Sequence, residues 1–590
     1  MAFDPSFGLK KMIHILSIAA LLACYTSMSI AASTCEKIAL ISNVNIEEKL
    51  TIPYAKDQEE YWSVDCGRLK PSCILVPESP EELSIIVRTL GANNETFAVK
   101  SGGHNPNRNF ASVDGGPLIS LKSFNEINYD EESGTVRVGA GNRWADVVKV
   151  LEPNGVTVVG ARIGDVGVGG FIVGGGLSYL STQHGWAMNS VVAFDVVLAS
   201  GEIVKASSCE NVDLFNVLRG GGNAYGIVTT FTLKAYKIGK VWGGNLIIGA
   251  DKTKEILAAV RDFTEYYPDD KAAIIATHII GVADLLDIWM IFLFYDGEIP
   301  PHGTFDNFTN IGATLNTAKT QKYSELVTAQ DSLTTTGKII DMAVEHSPLP
   351  SARNPEFMQS MNNHFVTVTE ENKLVPGLLG TFSLQPIPKR LARHAKKNGG
   401  DLLDLDDSVD RLLVEFNYAY TSPSDVPQIE RALKTITGAL RKDTLDRINE
   451  GTLPDAYLPL FLNDANYAQN YFGRLRPETL EYARRMRDVS SVVVGVYVIL
   501  FGLCVGALEF VPHPPSYLSR HASFLFSFLG RGIFYVFVGS IILEGHVLRK
   551  IAGSIVGGIG LGYVALEFVP SIEPPPTMRE ADSTWGSEEV

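Results

Sequence analysis

Residues 101–105 read Ser-Gly-Gly-His-Asn, and residues 164–176 read Gly-Asp-Val-Gly-Val-Gly-Gly-Phe-Ile-Val-Gly-Gly-Gly. Glycine has no Cβ, so it reaches positive φ and lets backbone N–H groups come close to an anion. Two such loops can hold a pyrophosphate from opposite sides. Neither loop contains G-x-G-x-x-G, so the sequence does not support a Rossmann-type dinucleotide site.

Strands and helices alternate around the two loops. Ser79-Pro80-Glu81-Glu82 predicts the start of a helix, with a capping residue, a proline in the first turn and acids at the positive end. Thr96 to Lys100 predicts a strand that runs directly into the histidine turn. The other predicted elements are strands at Cys73 to Val76, Pro117 to Leu121, Thr135 to Gly139, Val191 to Ala199 and Glu202 to Ala206, and a helix from Arg143 to Leu151. This mixture indicates an α+β or α/β fold.

Composition excludes several classes of protein. The chain has 590 residues, of which 45% are hydrophobic and 20% charged, so it can bury a large core. Lys and Arg number 50 against 66 Asp and Glu, a net charge of −16. A nucleic-acid surface needs clustered cations, so no nucleic-acid partner is predicted. No metal site is predicted either.

The N-terminus has the pattern of a secretory signal peptide, predicted over residues 1–32. Lys10 and Lys11 precede an apolar run from Met12 to Cys24, and small residues follow. Export would place the cysteines between the signal peptide and the apolar C-terminal runs in an oxidising lumen; these are Cys35, Cys66, Cys73 and Cys209. Cys35 is predicted to pair with Cys73 at the first strand, with Cys66 as a competing partner. Glycosylation sequons at Asn94 and Asn307 agree with that compartment.

The C-terminal end contains three long apolar runs. Ser491 to Val511 is about twenty apolar residues, enough at about 1.5 Å per residue to cross about 30 Å of hydrocarbon. Similar runs follow at Ser523 to Leu543 and Ile551 to Val569. We therefore predict three transmembrane helices within 489–570 and a polar tail over 571–590. A signal peptide followed by three spans would leave the large domain lumenal and the tail cytosolic.

Residues 71–239 resemble the PCMH-type FAD-binding domain of the vanillyl-alcohol-oxidase type, and most closely that of fungal berberine-bridge-enzyme-like oxidases. The matching motifs, in the order of that family, are Ser101-Gly-Gly-His104, Val138-Gly-Ala-Gly141, Val166-Gly-Val-Gly-Gly170, Gly174-Gly-Gly176 and Asp213-Leu-Phe with Leu218-Arg-Gly-Gly-Gly-Asn223 and Gly226-Ile-Val-Thr229. The resemblance implies an α+β fold. It consists of a two-part FAD-binding domain over 33–240, an α/β substrate domain over 241–445 and a segment over 446–488 that returns to the flavin domain.

The resemblance also implies how the cofactor is held. His104 would carry FAD covalently on its imidazole. Many relatives have a second link through a cysteine shortly before the second glycine run, where this chain has Ile163, so a single link is expected. Cofactor contacts are expected from three glycine-containing segments and one further residue: Ser101, Gly102, Gly103, His104 and Asn105; Val166, Gly167, Val168, Gly169 and Gly170; Gly174, Gly175 and Gly176; and Ile227.

Three candidate catalytic residues come from the late segment 446–488, and a fourth comes from the flavin domain. Asn463, Tyr467 and Gln469 match the family segment that faces the isoalloxazine, and Tyr225 lies in a turn of the flavin domain. A tyrosine activated by a neighbour can remove a hydroxyl proton. The substrate domain is marked only by strand-like runs at Ile288 to Tyr295 and Leu412 to Tyr420 and by a helix over Gln428 to Leu440.

From about residue 489 the chain resembles the COPI-associated Golgi membrane proteins, without the first span of that family. The junction is either a natural fusion or two neighbouring genes read as one. The function implied by the resemblance of the flavin domain is oxidation of an alcohol, a sugar or a secondary metabolite. Hydride would pass to flavin N5, and O2 would be reduced to H2O2.

The alternative function is that of a Golgi trafficking protein with a non-catalytic lumenal domain. The location implied is a secretory-pathway membrane, or secretion without the C-terminal part.

Overall fold

The structure is a computed structural model that describes residues 33–486, apart from 268, 282–284 and 334–335, together with 527–542 and 547–568. It divides into two compact units, Met1–Met486 and Arg487–Val590. The predicted signal peptide, the first predicted membrane run and the polar tail lie outside the described residues.

The strands before residue 240 are, in chain order, β1 (Asn45–Glu48), β2 (Cys73–Val76), β3 (Ala98–Lys100), β4 (Leu118–Ser120), β5 (Ile127–Asp130), β6 (Thr135–Gly139), β7 (Val156–Thr157), β8 (Val191–Val197), β9 (Ile203–Ser207), β10 (Ile227–Lys234) and β11 (Tyr236–Lys237). Those after residue 240 are β12 (Val241–Gly249), β13 (Ala272–Gly281), β14 (Leu286–Tyr295), β15 (Leu315–Asn316), β16 (Lys319–Gln321), β17 (Ile339–Pro348), β18 (Leu379–Ile387) and β19 (Arg411–Tyr420).

The helices of the first unit are α1 (Thr34–Ile41), α2 (Ile52–Glu59), α3 (Val64–Arg68), α4 (Pro80–Ala92), α5 (Trp144–Leu151), α6 (Val168–Val173), α7 (Ser181–His184), α8 (Val212–Leu218), α9 (Thr253–Tyr266), α10 (Asp306–Thr309), α11 (Tyr323–Ala329), α12 (Glu356–Glu371), α13 (Lys389–Lys397) and α14 (Val426–Asn449). The second unit contains α15 (Phe528–Ile542) and α16 (Val547–Leu566).

Residues 33–240 contain two larger sheets and a two-stranded sheet of β7 and β11. One has the order β1-β2-β4-β3, in which β2 and β3 run parallel to β4. The other is antiparallel, in the order β5-β6-β10-β8-β9. A single apolar core joins them and includes side chains of α4 and α5. Every strand predicted in this region is present within two residues of its predicted ends, because each is a short apolar run bounded by turn residues.

A larger antiparallel sheet follows, in the order β15-β12-β14-β13-β18-β19-β17, with β16 pairing with β12. Its first face is buried beneath α9, α12 and α14. Side chains alternate along a strand, so the intervening residues line the second face. That face is only half-buried at Thr277, Met290, Thr381, Glu415 and Asn417. The sheet therefore presents one open, partly polar face, and the predicted strands and helix of this region all lie within β14, β19 and α14.

The late segment has little regular structure and connects the two halves of the first unit. Short 3-10 turns occur at Leu462–Asp464 and Phe472–Arg474. The Asn466 amide donates to the carbonyl oxygen of Met342 on β17 (3.0 Å). Phe461 and Tyr471 belong to a core that also contains Trp186 of the flavin half. This segment therefore contacts both the large sheet and the flavin half.

The predicted membrane-spanning helices are not supported by the residues that the structure describes. In 33–486, 527–542 and 547–568, no helix combines the length and the apolarity that crossing a bilayer requires. Helix α15, within the run Ser523 to Leu543, has 15 residues. Helices α15 and α16 pack closely at Gly532 and Gly560.

Candidate functional site

The two glycine loops meet backbone to backbone. A Cβ on Gly102 would lie 2.6 Å from both the Cα and the N of Gly167, so a side chain there would force the loops apart. The Ser101 hydroxyl donates to the carbonyl oxygen of Ala140 (2.6 Å) and accepts from the N–H of Gly169 (3.2 Å). Glycine at both contact positions therefore lets residues 101–104 and 164–170 form one continuous surface.

Part of the second loop is occupied by internal hydrogen bonds. The N–H of Val168 donates to the carbonyl oxygen of Asn142 (2.9 Å). The N–H of Gly169 also donates to the carbonyl oxygen of Ala140 (3.3 Å). The Val166 carbonyl accepts from Trp144 (3.1 Å). Two of the amides predicted to hold a pyrophosphate are therefore already bonded within the protein, and they fix the shape of the loop.

His104 follows directly on the edge strand β3 and its glycine turn. Gly103 has a φ of +70°, and a Cβ there would lie 2.5 Å from the carbonyl oxygen of Glu60, so the turn requires glycine. The imidazole stacks on Trp62, with ring centroids 4.6 Å apart and planes 14° apart. Burial lowers the pKa of His104 to about 4, and the positive charge of Arg143 adds to the effect. The imidazole is therefore neutral at pH 7.

Two polar atoms of this stack have no partner among the described residues. They are Nε2 of His104 and Nε1 of Trp62, and both are buried. A buried polar atom without a hydrogen bond costs about 1–3 kcal/mol, so such atoms in a folded site usually face a ligand or water. The neutral ring, its orphaned nitrogen and the close glycine loops fit a flavin nucleotide bound at this place.

Arg143 adds a cation beside the loops that sequence reasoning missed. It lies at the start of α5 and forms an ion pair with Asp165 (2.9 Å). Its guanidinium also donates to the Asp165 carbonyl oxygen and would be 3.6 Å from a Cβ on Gly102. An arginine directly before a helix and close in sequence to a glycine loop is a weak signal, because such residues are usually solvated.

The four predicted catalytic residues lie at different places. Asn463 bridges the second glycine run, accepting from the N–H of Gly176 (2.9 Å) and donating to the carbonyl oxygens of Gly170 and Phe171 (3.2 Å each). Gln469 donates to the carbonyl oxygen of Val344 on β17 (2.7 Å). Both amides therefore position backbone segments.

The two tyrosines are also engaged. The Tyr225 hydroxyl donates to the carbonyl oxygen of Ala483 (3.1 Å). Tyr467 is 52% exposed and donates to Glu430 (2.7 Å), which raises the pKa of this phenol to about 12. A tyrosine next to a carboxylate is a poor base at neutral pH, because the negative charge opposes its ionisation. The four side chains therefore bond to different parts of the fold.

The other residues predicted to contact the cofactor form contacts within the protein. Asn105 accepts from the N–H of Asn107 (2.9 Å) and so closes a turn after His104. Ile227 begins β10 and pairs with Val197. Gly175 and Gly176 have φ values of +125° and +75°, and a Cβ on Gly174 would lie 2.6 Å from the Asn463 amide. These positions shape the second run for close packing.

A charged cluster lies where the open face of the large sheet meets the flavin half. Arg162 donates to the side chain of Gln385, and Gln385 donates to the carboxylate of Glu415 (3.0 Å). Burial raises the pKa of Glu415, while Arg162 and Gln385 oppose that shift. Asp464 is close enough that burial and then the Glu415 charge raise its pKa well above the ordinary value. A lone acid in the apolar run of β19 was the signal that could have found Glu415.

Comparison with known proteins agrees with this geometry. A family model described as FAD binding domain matches residues 71–207. An uncharacterized FAD-linked oxidoreductase of Arthroderma benhamiae is 40% identical over 454 residues, which are 76% of this chain and 90% of that protein. The chain belongs to the FAD-linked oxidoreductases. This FAD-linked oxidoreductase is therefore an enzyme, as its sequence predicts.

Two further likenesses extend that result. The FAD-dependent monooxygenase drtC of Aspergillus calidoustus is 30% identical over 380 residues, 63% of this oxidoreductase and 72% of that protein. The fold of a solved BBE-like protein of Physcomitrella patens matches with a TM-score of 0.62 at 14% identity, covering 77% of this chain and 96% of that one. At the other end, a family model described as COPI associated protein matches residues 478–590. Both predicted resemblances are confirmed.

Proposed function

We propose that this protein is an oxidase that carries FAD on a single covalent link to His104 and oxidises an alcohol, a sugar or a secondary metabolite. FAD bound at this site would supply a hydride acceptor at N5 and would be reoxidised by O2 with release of H2O2. The observation that carries the proposal is the His104 imidazole, neutral at pH 7 and with a buried nitrogen that has no partner among the described residues. A neutral imidazole has a free lone pair and can therefore act as a nucleophile.

Residues of the two loops would hold the nucleotide. The turn at Ser101 to His104 would offer backbone amides to the pyrophosphate, and the Arg143 guanidinium at the junction would balance its charge. The segment Gly174 to Gly176 and Ile227 stay predictions for the adenosine side. Ile163 stands where many relatives have a cysteine, so one attachment point is proposed.

We assign the role of proton acceptor to Glu415. Its carboxylate lies on the open face of the large sheet, and Gln385 holds it through a 3.0 Å hydrogen bond. Burial raises its pKa, which makes it a stronger base than an exposed carboxylate. It would take the proton from the substrate hydroxyl or amine as the neighbouring C–H loses hydride. Tyr225 and Tyr467 are weaker candidates, because their hydroxyls donate to other groups.

Three observations support the secretory pathway as the location. Cys35 and Cys73 form a disulfide, which is typical of an oxidising compartment. Asn94 and Asn307 are exposed, so both sequons are accessible. The COPI-associated match over 478–590 points to the same pathway. The predicted signal peptide over 1–32 belongs to this proposal.

Purification of the full-length chain tests the proposal. The protein should be yellow, the flavin should remain with the protein after acid precipitation, and peroxide should be released with at least one member of a panel of alcohols, sugars and phenolic amines. A colourless protein would favour the trafficking alternative. A product that has gained an oxygen atom, with no free peroxide, would instead favour the activity named for drtC.

A further inference from the structure

Residues 52–68, which we term the N-terminal arm, lie against the turn that carries His104. The arm comprises α2, the link 60–63 and α3, and it precedes residue 71, where the FAD-binding match begins. The N–H of Trp62 donates to the carbonyl oxygen of Gly103 (3.2 Å). Trp62 is thus connected to the histidine turn through its backbone as well as through its ring.

The arm is fixed on both sides of Trp62. On one side the Tyr61 hydroxyl donates to the carbonyl oxygen of Ala111 (2.8 Å). On the other side the Ser63 hydroxyl accepts from the N–H of Ile340 (3.0 Å). The indole between them has little freedom to move away, because both neighbouring residues are bonded to different parts of the fold.

A buried ion pair connects the same arm to the strand before the turn. Lys100, the last residue of β3, lies 2.6 Å from Asp57 of α2, and its ammonium also lies 4.3 Å from the centre of the Tyr61 ring. Lys122 binds the second carboxylate oxygen of Asp57 (3.1 Å). The histidine turn and the arm are therefore one rigid assembly at the place where the imidazole is presented.

We infer that Trp62 is the positioning residue that sets the plane of the His104 imidazole for attachment of the flavin. This inference rests on the covalent attachment proposed above. The stack, at 4.6 Å and 14°, fixes the ring rotation about its last side-chain bond, which backbone geometry alone leaves free. Nε2 of His104 and Nε1 of Trp62 are both buried without partners among the described residues, so each of the two stacked rings has a nitrogen that is not engaged within the protein.

The experiment compares attachment rates in full-length protein produced under riboflavin limitation and then incubated with FAD. The variants are Trp62→Leu, which keeps an apolar side chain without a ring, and Trp62→Phe, which keeps a ring. The matched control is Trp242→Leu, since Trp242 stacks on Phe305 in the large sheet, with centroids 5.4 Å apart. The readouts are acid-stable flavin over time and the melting temperature of each protein.

Trp62→Leu should slow attachment about tenfold or more, because a misplaced reacting group loses much of the benefit of proximity. Trp62→Phe and Trp242→Leu should stay within about threefold of wild type. Equal rates for Trp62→Leu and wild type would overturn the inference, with attachment itself intact. A Trp62→Leu protein that does not fold would also overturn it, because the residue would then serve the fold. Wild-type protein without acid-stable flavin would overturn the attachment proposal and this inference with it.

Discussion

Asp57 and Lys100 form an ion pair inside the protein: Nζ of Lys100 lies 2.6 Å from Oδ1 of Asp57, and each side chain is 2% exposed. Burial alone would raise the pKa of Asp57, but Lys100 and Lys122 together lower it, so the carboxylate is charged. This pair joins the N-terminal arm to the strand that ends at the histidine turn.

Asp57→Asn should lower the free energy of unfolding by about 3 kcal/mol, because it leaves the buried Lys100 ammonium without its countercharge. Lys442→Met is the matched control, since its partner Asp446 is half exposed and Lys442 is 79% exposed. That variant should change stability by less than about 0.5 kcal/mol. Urea denaturation measures both, and equal effects would contradict the assigned importance of the buried pair.

His104→Ala should yield protein from which acid extracts all the flavin, because it removes the only proposed attachment point. His302→Ala serves as control, since His302 is exposed on a loop of the substrate half. Acid precipitation followed by flavin fluorescence of the pellet measures the outcome. Flavin that stays covalent in the His104 variant would show that another residue forms the link.

Glu415→Gln should lower turnover about a hundredfold or more with any substrate that releases peroxide, because the amide cannot accept the proton. It should leave the amount of acid-stable flavin unchanged, since Glu415 is on the large sheet and not in the glycine loops. Glu255→Gln, at an exposed carboxylate of α9, is the control. Full turnover by the Glu415 variant would remove this residue from the mechanism.

Asp341→Asn should flatten part of the dependence of stability on pH. Burial raises the pKa of Asp341 to about 6. The negative charges of Glu430 and Asp65 also raise this pKa, whereas the hydrogen bond from Tyr420 lowers it. The folded state thus holds this proton more tightly than the unfolded chain, so its stabilising contribution is complete below about pH 4 and is lost as the pH rises through about 6. The melting temperature should fall more for wild type than for the variant between pH 4 and 7, which corresponds to a difference in the free energy of unfolding on the order of 3 kcal/mol at pH 7. Parallel curves would exclude this shift.

Replacing Cys35 and Cys73 together by serine should lower the free energy of unfolding by about 3 kcal/mol, because the bridge closes a loop of 38 residues in the unfolded chain. Cys66 and Cys209 are free in the structure, and Cys66 is buried against backbone carbonyls of residues 105–107. Non-reducing peptide mapping should find Cys35 joined to Cys73. A peptide joining Cys35 to Cys66 would show a different pairing.

Sequence alone located the glycine loops, His104 and most strands of the flavin half. The requirement at Gly103 is local, because a φ of +70° excludes most side chains whatever surrounds it. Strand β6 matches its predicted bounds, Thr135 to Gly139, because an apolar run between turn residues specifies a strand at short range. The Cys35–Cys73 pairing was also predicted, with Cys66 as an open alternative, and the structure joins Cys35 to Cys73 and leaves Cys66 free.

Only the tertiary structure decided which side chains meet at the site. Trp62 reaches His104 from an arm that precedes the FAD-binding match, and Glu415, Gln385 and Arg162 come from three separate segments. Asn463 was predicted to face the flavin, and the structure adds that its amide bridges the second glycine run. Such contacts depend on how distant segments pack against each other. The local pattern of residues carries information about backbone conformation and burial but none about that packing.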